Sequence, residues 1–295
     1  MCEEMGTLTK KRKRVGQLLI SPTIVILLLI ILVPLLFSLI VSFFQYTFFE
    51  PGFHSFVFFD NFISELNNKY FWNSLKVTLK FVFIVVPLEF IIGFSISYLL
   101  SRDIKFKGVY YTILTITMVM SPVAVGLIWR MLLHPDLGVV NYVLNLLGIP
   151  FINWFASPTM ALWTIVLIDM WHQVSFMILI LLSGLTSLPQ DVYEAARIDG
   201  AGGLQTLFYV TIPLLKPVIT IAVLIRTILA FKTYDLVYVL TRGGPGDSTE
   251  IISYYIYKVT FMGMDLSKAS AISYLLLGVV IFLVVFLYMA NTRRT

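Results

Sequence analysis

The sequence predicts an all-α, polytopic membrane protein with six transmembrane helices. Three observations carry that prediction. Hydrophobic residues make up 59% of the 295 positions and charged residues only 13%, whereas a soluble domain is about half apolar and about a quarter charged. Mean hydropathy is +0.91. Six stretches also reach the roughly 20 apolar residues that a bilayer core demands of a helix. This composition excludes a disordered chain, a disulfide scaffold and a soluble nucleotide-binding enzyme. Cys2 is the single cysteine, and no two of His54, His134 and His172 stand at ligand spacing, so no metal centre is expected. The formal charge of +5 reads as membrane orientation rather than nucleic-acid binding.

The elements follow in order. A basic tail over residues 1–17 precedes the first span, Leu18 to Phe44, which is too long for a signal-peptide core and reads as retained. The later spans are expected, each as one helix, over Trp72–Leu100, Val109–Leu133, Thr159–Leu185, Leu207–Leu240 and Ser267–Ala290. A short tail over 291–295 closes the 18–290 membrane domain. Lys10 to Arg14, the Arg102–Lys107 loop, Arg197 and Arg293-Arg294 fall on one side of the spans. The opposite loops hold Lys69, Arg242 and Lys258, with no Lys or Arg between His134 and Pro158. Both termini are therefore expected in the cytoplasm. Gly243-Gly244-Pro245-Gly246 lacks the Lys-Ser/Thr pair that would hold phosphate and reads as an outer turn. The outer loop from Gly138 to Pro150 places Val139, Val140, Val143, Leu144 and Leu147 on one helical face with Asn141 and Asn145 opposite. It reads as a lid resting on the spans, the alternative being a landing surface for a binding protein.

The loop between the fourth and fifth spans is the most informative. Ser187 and Gln190 have capping-box spacing, Pro189 suits a first helical turn and Asp191 faces the positive helix end. Val192, Ala195 and Ala196 would share a small apolar face, and Gly200, Gly202 and Gly203 would end the helix. Such a helix either docks into a partner's groove or lies on the lipid.

Glu194-Ala195-Ala196, then Gly200, then nine residues and Val210-Thr211-Ile212-Pro213 resembles the EAA loop of ABC importer permeases. The runs YEAARIDG, IPLLKP, DLVYVLTRGGPG and WRMLLHPDLGVVN are similar to the carbohydrate-uptake branch, specifically its first permease of the maltose and glycerol-phosphate type. The resemblance implies a type I ABC importer permease bundle in the cytoplasmic membrane. It makes residues 187–203 a coupling helix seated on an ATP-hydrolysing subunit through Glu194, Ala195, Ala196, Arg197, Asp199 and Gly200. It also implies a second permease as heterodimer partner, two ATP-binding subunits and an extracytoplasmic solute-binding protein. The substrate would be a sugar, with glycerol-phosphate or another polar solute as the alternative. This chain would be no enzyme and bind no cofactor, ATP and magnesium belonging to the partner ATPase.

Ionisable residues inside spans cost at least about 2.5–3.5 kcal/mol each near the helix centre, so each needs a reason. Asp169, His172 and Gln173 share one face of the fourth span beside Trp171. They either line a substrate pathway or form a buried polar network. Phe231, Lys232, Tyr234 and Asp235 in the fifth span offer donors, acceptors and apolar contact to a sugar, the alternative being an intrahelical Lys232–Asp235 ion pair. Arg226 is expected to pair with Asp169 or Glu89. A rival reading is an ion-coupled secondary transporter using Asp169, Glu89 and Asp235. A membrane-embedded enzyme would need converging nucleophile, base or metal ligands, which the sequence does not supply.

Overall fold

The computed structural model describes residues 2–102 and 104–292. Arg293 and Arg294 lie outside the described residues, as do the side chains of Cys2 and of the basic run from Lys10 to Arg14. In chain order the helices are α1 (Cys2–Val41), α2 (Asp60–Leu66), α3 (Lys69–Leu100), α4 (Lys107–Val119), α5 (Pro122–Leu132), α6 (Val139–Leu146) and α7 (Pro158–Thr186). They continue as α8 (Gln190–Ile198), α9 (Gly203–Thr206), α10 (Ile212–Phe231), α11 (Asp235–Leu240), α12 (Ile252–Tyr257) and α13 (Leu266–Thr292). Two π-helical turns, Leu207–Thr211 and Lys258–Met262, interrupt this series.

Among the described residues five helical stretches are long and apolar enough to cross a membrane: Ile20–Val41, Lys69–Leu100, Pro158–Thr186, Gly203–Leu240 and Leu266–Asn291. The 22 residues of the first rise about 33 Å, matching a hydrocarbon core of about 30 Å. Pro22 and Pro34 lie inside α1, as membrane helices tolerate.

The expected third span is not one helix. It is the pair α4 and α5, bent by 97°. Ser121 precedes Pro122 and is extended (ψ 133), as is Met120 (ψ 140), because the proline ring disfavours helical backbone in the residue before it. The fifth span is also interrupted. α10 stops at Phe231, Lys232 caps it, and Tyr234 leaves the helical region before α11 begins at Asp235. Here no proline or glycine breaks the helix. Ser253 Oγ instead donates to the Thr233 carbonyl at 2.5 Å, which takes that acceptor out of the helical ladder.

The chain divides into two compact units, Met1–Asn67 with Val259–Leu275, and Asn68–Lys258 with Leu276–Thr295. In the first unit Asn61 Nδ2 donates to the Ser42 and Phe44 carbonyls at 2.8 and 3.0 Å. Tyr46 N donates to Ser267 Oγ at 2.6 Å, and Tyr274 OH donates to the Leu35 carbonyl at 2.5 Å. Phe44 packs edge-on against Phe53 and Phe56, with ring centroids 5.2 and 5.1 Å apart.

The second unit carries the larger core, with Phe81, Val85, Val125, Ile165, Ile168, Phe231, Val237 and Tyr254 buried together. Small residues let its helices approach closely. A Cβ on Gly93 of α3 would come 2.8 Å from Met177 of α7, and one on Gly184 of α7 would come 2.8 Å from Leu215 and Val218 of α10. Ser97 Oγ also donates across α3 and α7 to the Ile178 carbonyl at 2.9 Å.

Helix α6 forms, but it is rotated only in part from the expectation: Val140 and Leu144 are half-buried, with Val140 packed on the core, and Asn145 is exposed as expected. Asn141 is buried, donating to the Pro135 and Ile152 carbonyls and accepting from Trp154 Nε1 at 3.1 Å. Of the expected stripe, Val139, Val143 and Leu147 are exposed. The amide has three fixed partners in the flanking loops, and satisfying them outweighs burying the aliphatic stripe.

Candidate functional site

Both interrupted spans meet at one cavity of about 170 Å³. Its wall contains Pro122 at the start of α5, Asp169, His172 and Gln173 on α7, Arg226 and Leu229 on α10, and the segment from Lys232 to Leu236. The breaks supply this wall. A continuous fifth helix would hold Lys232, Thr233, Tyr234 and Asp235 in one helical register. Ending α10 at Phe231 and restarting at Asp235 turns all four toward the same recess.

His172 ties the break in the third span to α7. Its Nε2 donates to the Met120 carbonyl at 3.0 Å, and Gln173 Nε2 donates to its Nδ1 at 3.1 Å. That arrangement fits the Nε2–H tautomer, because a carbonyl can only accept and an amide NH₂ can only donate. The bend in the third span is therefore held by a side chain of the fourth.

Two of these wall residues, Asp169 and Arg226, belong with Glu89 to a buried cluster of three ionisable groups. Arg226 Nε and Nη2 donate to the two carboxylate oxygens of Glu89, the Nη2 contact at 2.9 Å, and Nη2 also donates to Asp169 Oδ2. The three residues belong to α10, α3 and α7 and are at most 3% exposed. One guanidinium thus serves two carboxylates at once.

Lys232 is exposed, and no ion pair joins it to Asp235. The intrahelical pair offered as an alternative is absent because the two residues flank a helix break. Phe231 is 2% exposed and packs in the core, and Trp171 packs edge-on against Trp129 with ring centroids 5.5 Å apart. Neither lines the cavity. Pro122, Thr233, Leu229 and Leu236 do, and were not singled out from sequence; the Ser121-Pro122 dipeptide was the signal for the first of them. Tyr234 joins Tyr238, Tyr254 and Tyr257 in a cluster with centroids 5.2–6.4 Å apart.

The second candidate surface is α8. Its start differs from the expected capping box. Pro189 is the N-cap, without a side-chain cap bond, and Ser187 Oγ donates backwards to the Gly184 carbonyl at 2.8 Å. Ser187 therefore closes α7, since proline two residues on already pre-sets the entry to α8. The C-terminal end matches the glycine pattern. Gly200 has φ +79, Gly200 N donates to the Arg197 carbonyl and Ala201 N to the Ala196 carbonyl, the two bonds of a Schellman ending. Glu194, Ala195, Arg197, Asp199 and Gly200 are exposed and Ala196 is half-buried. Among the described residues Asp191, Glu194 and Arg197 form no ion pair. Ile198 is 86% exposed.

Outside the spans, Lys258 Nζ donates to Glu250 Oε2 at 2.5 Å. Burial pushes the Glu250 carboxyl above its ordinary value, with the lysine opposing that rise. Burial lowers the Lys258 ammonium, but its bond to Glu250 and the carboxylate charge raise it overall. The pair braces the loop that contains the Gly243–Gly246 turn.

Comparison with known proteins bears on both surfaces. Residues 89–294 match the family described as "Binding-protein-dependent transport system inner membrane component". The chain is 36% identical over 294 residues to the trehalose/maltose transport system permease protein MalF of Thermococcus litoralis, covering 98% of this chain and 99% of that protein. It is 36% identical over 256 residues to the sulfoquinovosyl glycerol transport system permease protein SmoG of Agrobacterium fabrum, covering 87% and 83%. Its fold matches a chain of a bacterial alginate ABC transporter, solved in complex with an alginate pentasaccharide-bound periplasmic protein, with TM-score 0.82, 21% identity and coverage of 97% and 96%.

Proposed function

This chain belongs to the family of inner membrane components of binding-protein-dependent transport systems, and we propose that it forms one half of a sugar pathway driven through α8 by a partner ATPase. The permease role follows from membership. The ATPase, the second permease and the sugar are the further steps of the proposal.

One observation carries the coupling part. α8 presents Glu194, Ala195, Arg197 and Ile198 outward and buries none of its residues in this chain. An apolar side chain as exposed as Ile198, beside unpaired charges on a well-terminated helix, suits a partner's groove. The Lys and Arg concentrated in the loops on this side of the spans support a cytoplasmic position for this helix, where ATP is available. A solute-binding protein on the outer face would deliver the substrate.

The cavity supports the sugar part. Lys232 and Gln173 are donors, Asp235 is an acceptor, and Tyr234 adds an apolar face. Each hydroxyl taken from water must find a hydrogen-bond partner, so sugar sites mix these groups. Glycerol-phosphate or another polar solute is the alternative, with Lys232 facing the anion. The ion-coupled reading is weakened because Glu89 and Asp169 are both held by Arg226. Alternating access then needs a bias between two arrangements, and moving a population from 1:99 to 99:1 takes about 5.5 kcal/mol.

The test is co-purification of the full complex with Glu194→Lys or Gly200→Asp in this chain. Both substitutions are expected to abolish ATPase assembly and sugar uptake. Unchanged assembly and uptake would remove α8 from the coupling role. Asp235→Ala is expected to impair uptake with assembly intact.

A further inference from the structure

α8 connects to the fifth span through a linker rich in glycine, Gly200, Gly202 and Gly203. The linker is held only by local turn bonds, the Schellman pair at Gly200 and Ala201 and the Gly202 N–H bond to Gln205 Oε1; glycine leaves the rest of its backbone unusually free, so it couples α8 to α10 weakly. A side-chain bond spans it. Tyr193 OH donates to Thr211 Oγ1 at 3.2 Å. Thr211 Oγ1 donates in turn to the Thr206 carbonyl at 3.3 Å, and Thr206 Oγ1 donates to the Gly202 carbonyl at 3.1 Å.

Three further observations give that bond its weight. Among the described residues no other side chain of α8 makes a hydrogen bond or ion pair. Tyr193 is half-buried and Thr211 is 1% exposed, so water competes weakly for the bond. Thr211 also closes the π turn Leu207–Thr211, immediately before α10, and π turns concentrate at functional positions. From Thr211, α10 runs about 22 Å to Arg226 at the helical rise, and ends at the cavity wall.

Resting on the importer reading above, we propose that Tyr193 and Thr211 form a pin that transmits displacement of α8 to α10. Apolar contacts slide, whereas a hydrogen bond resists changes in angle as well as distance. With the pin, a shift of α8 turns α10 and, through Arg226, the helices bearing Glu89 and Asp169. Without it, the motion is absorbed in the glycine linker. Tyr193 is a positioning residue, distinct from the Glu194–Gly200 surface that meets the partner.

The experiment uses the complete transporter in proteoliposomes, with radiolabelled maltose, trehalose and glycerol 3-phosphate as probes. It reads ATPase recruitment, ATP hydrolysis and probe imported per ATP. Tyr193→Phe and Thr211→Val are each expected to assemble and hydrolyse ATP normally while import per ATP falls about two- to tenfold, the range that one net hydrogen bond spans. Thr211→Ser keeps the hydroxyl and is expected to keep the full ratio. The double variant is expected to fall no further than Thr211→Val alone, because that substitution already removes the bond to Tyr193. Full import per ATP in Tyr193→Phe, or additive losses in the double variant, would overturn the pin. An unsubstituted complex that recruits no ATPase would overturn the importer reading, and the pin with it.

Discussion

Arg226 grips Glu89 with two parallel donors, Nε to Oε2 and Nη2 to Oε1, and the same Nη2 reaches Asp169 on a third helix. The fork holds α10 against α3 and α7 at one fixed register. Arg226→Met would leave two carboxylates without their cation. A loss of about 3–5 kcal/mol is expected, read as a lowered unfolding temperature in detergent. Replacing all three groups by apolar residues of similar volume is expected to restore most of it, because the uncompensated charges go with the cation.

Lys232 predicts the opposite pattern. It is exposed and has no ion-pair partner, so Lys232→Gln is expected to change stability by less than about 0.5 kcal/mol. Uptake is expected to fall clearly, because the variant loses the cavity's free cation among the described residues. Thermal unfolding and transport on the same preparation check both halves. Normal uptake would remove Lys232 from the substrate pathway.

Close helix approach makes Gly184 sensitive. Any Cβ there meets Leu215 and Val218 at 2.8 Å, so those side chains or the helix bearing them must shift to admit it. Gly184→Val is expected to cost about 1–3 kcal/mol by overpacking, with the loss visible in unfolding of the detergent-solubilised chain. Gly278, with nothing near its Cβ direction, is the matched control, where Gly278→Val is expected to have little effect.

The Glu250–Lys258 pair sets a pH dependence for the loop over residues 243–258. Glu250 is raised by burial despite Lys258, so its contribution to folding is complete below an ordinary carboxylate value of about 4.3. That contribution is lost as pH rises through the raised value. The Lys258 contribution, also from a raised value, persists until strongly alkaline pH. Amide exchange in residues 243–258, corrected for its intrinsic pH dependence, is expected to quicken as pH climbs above about 4.3. Glu250→Gln is expected to flatten that rise.

Much of this was legible in the residues. The apolar runs announced their spans, since a bilayer core accepts little else, and the Glu194–Gly200 spacing announced a terminated helix with an outward surface. Arg226 announced a partner, because a buried cation needs one. Other features were legible and passed over: Ser121-Pro122 marks the bend between α4 and α5 as plainly as any dipeptide can. The break at Lys232–Tyr234 left no such mark. Ser253, twenty positions away, supplies the competing hydrogen bond, and no local pattern contains it. Asn141 is similar, for its burial depends on carbonyls of Pro135 and Ile152 that only folding brings together.

What the amino-acid order determined by itself was membership of the bilayer and the place of the glycine-terminated helix between the fourth and fifth spans. Both rest on local rules, apolar length in one case and the glycine ending in the other. Tertiary structure alone decided that two broken spans share one cavity, that a single guanidinium serves carboxylates from two other helices, and that Tyr193 reaches Thr211 across a glycine linker. Those are contacts between residues distant in sequence or separated by a turn, and their geometry exists only after the helices pack.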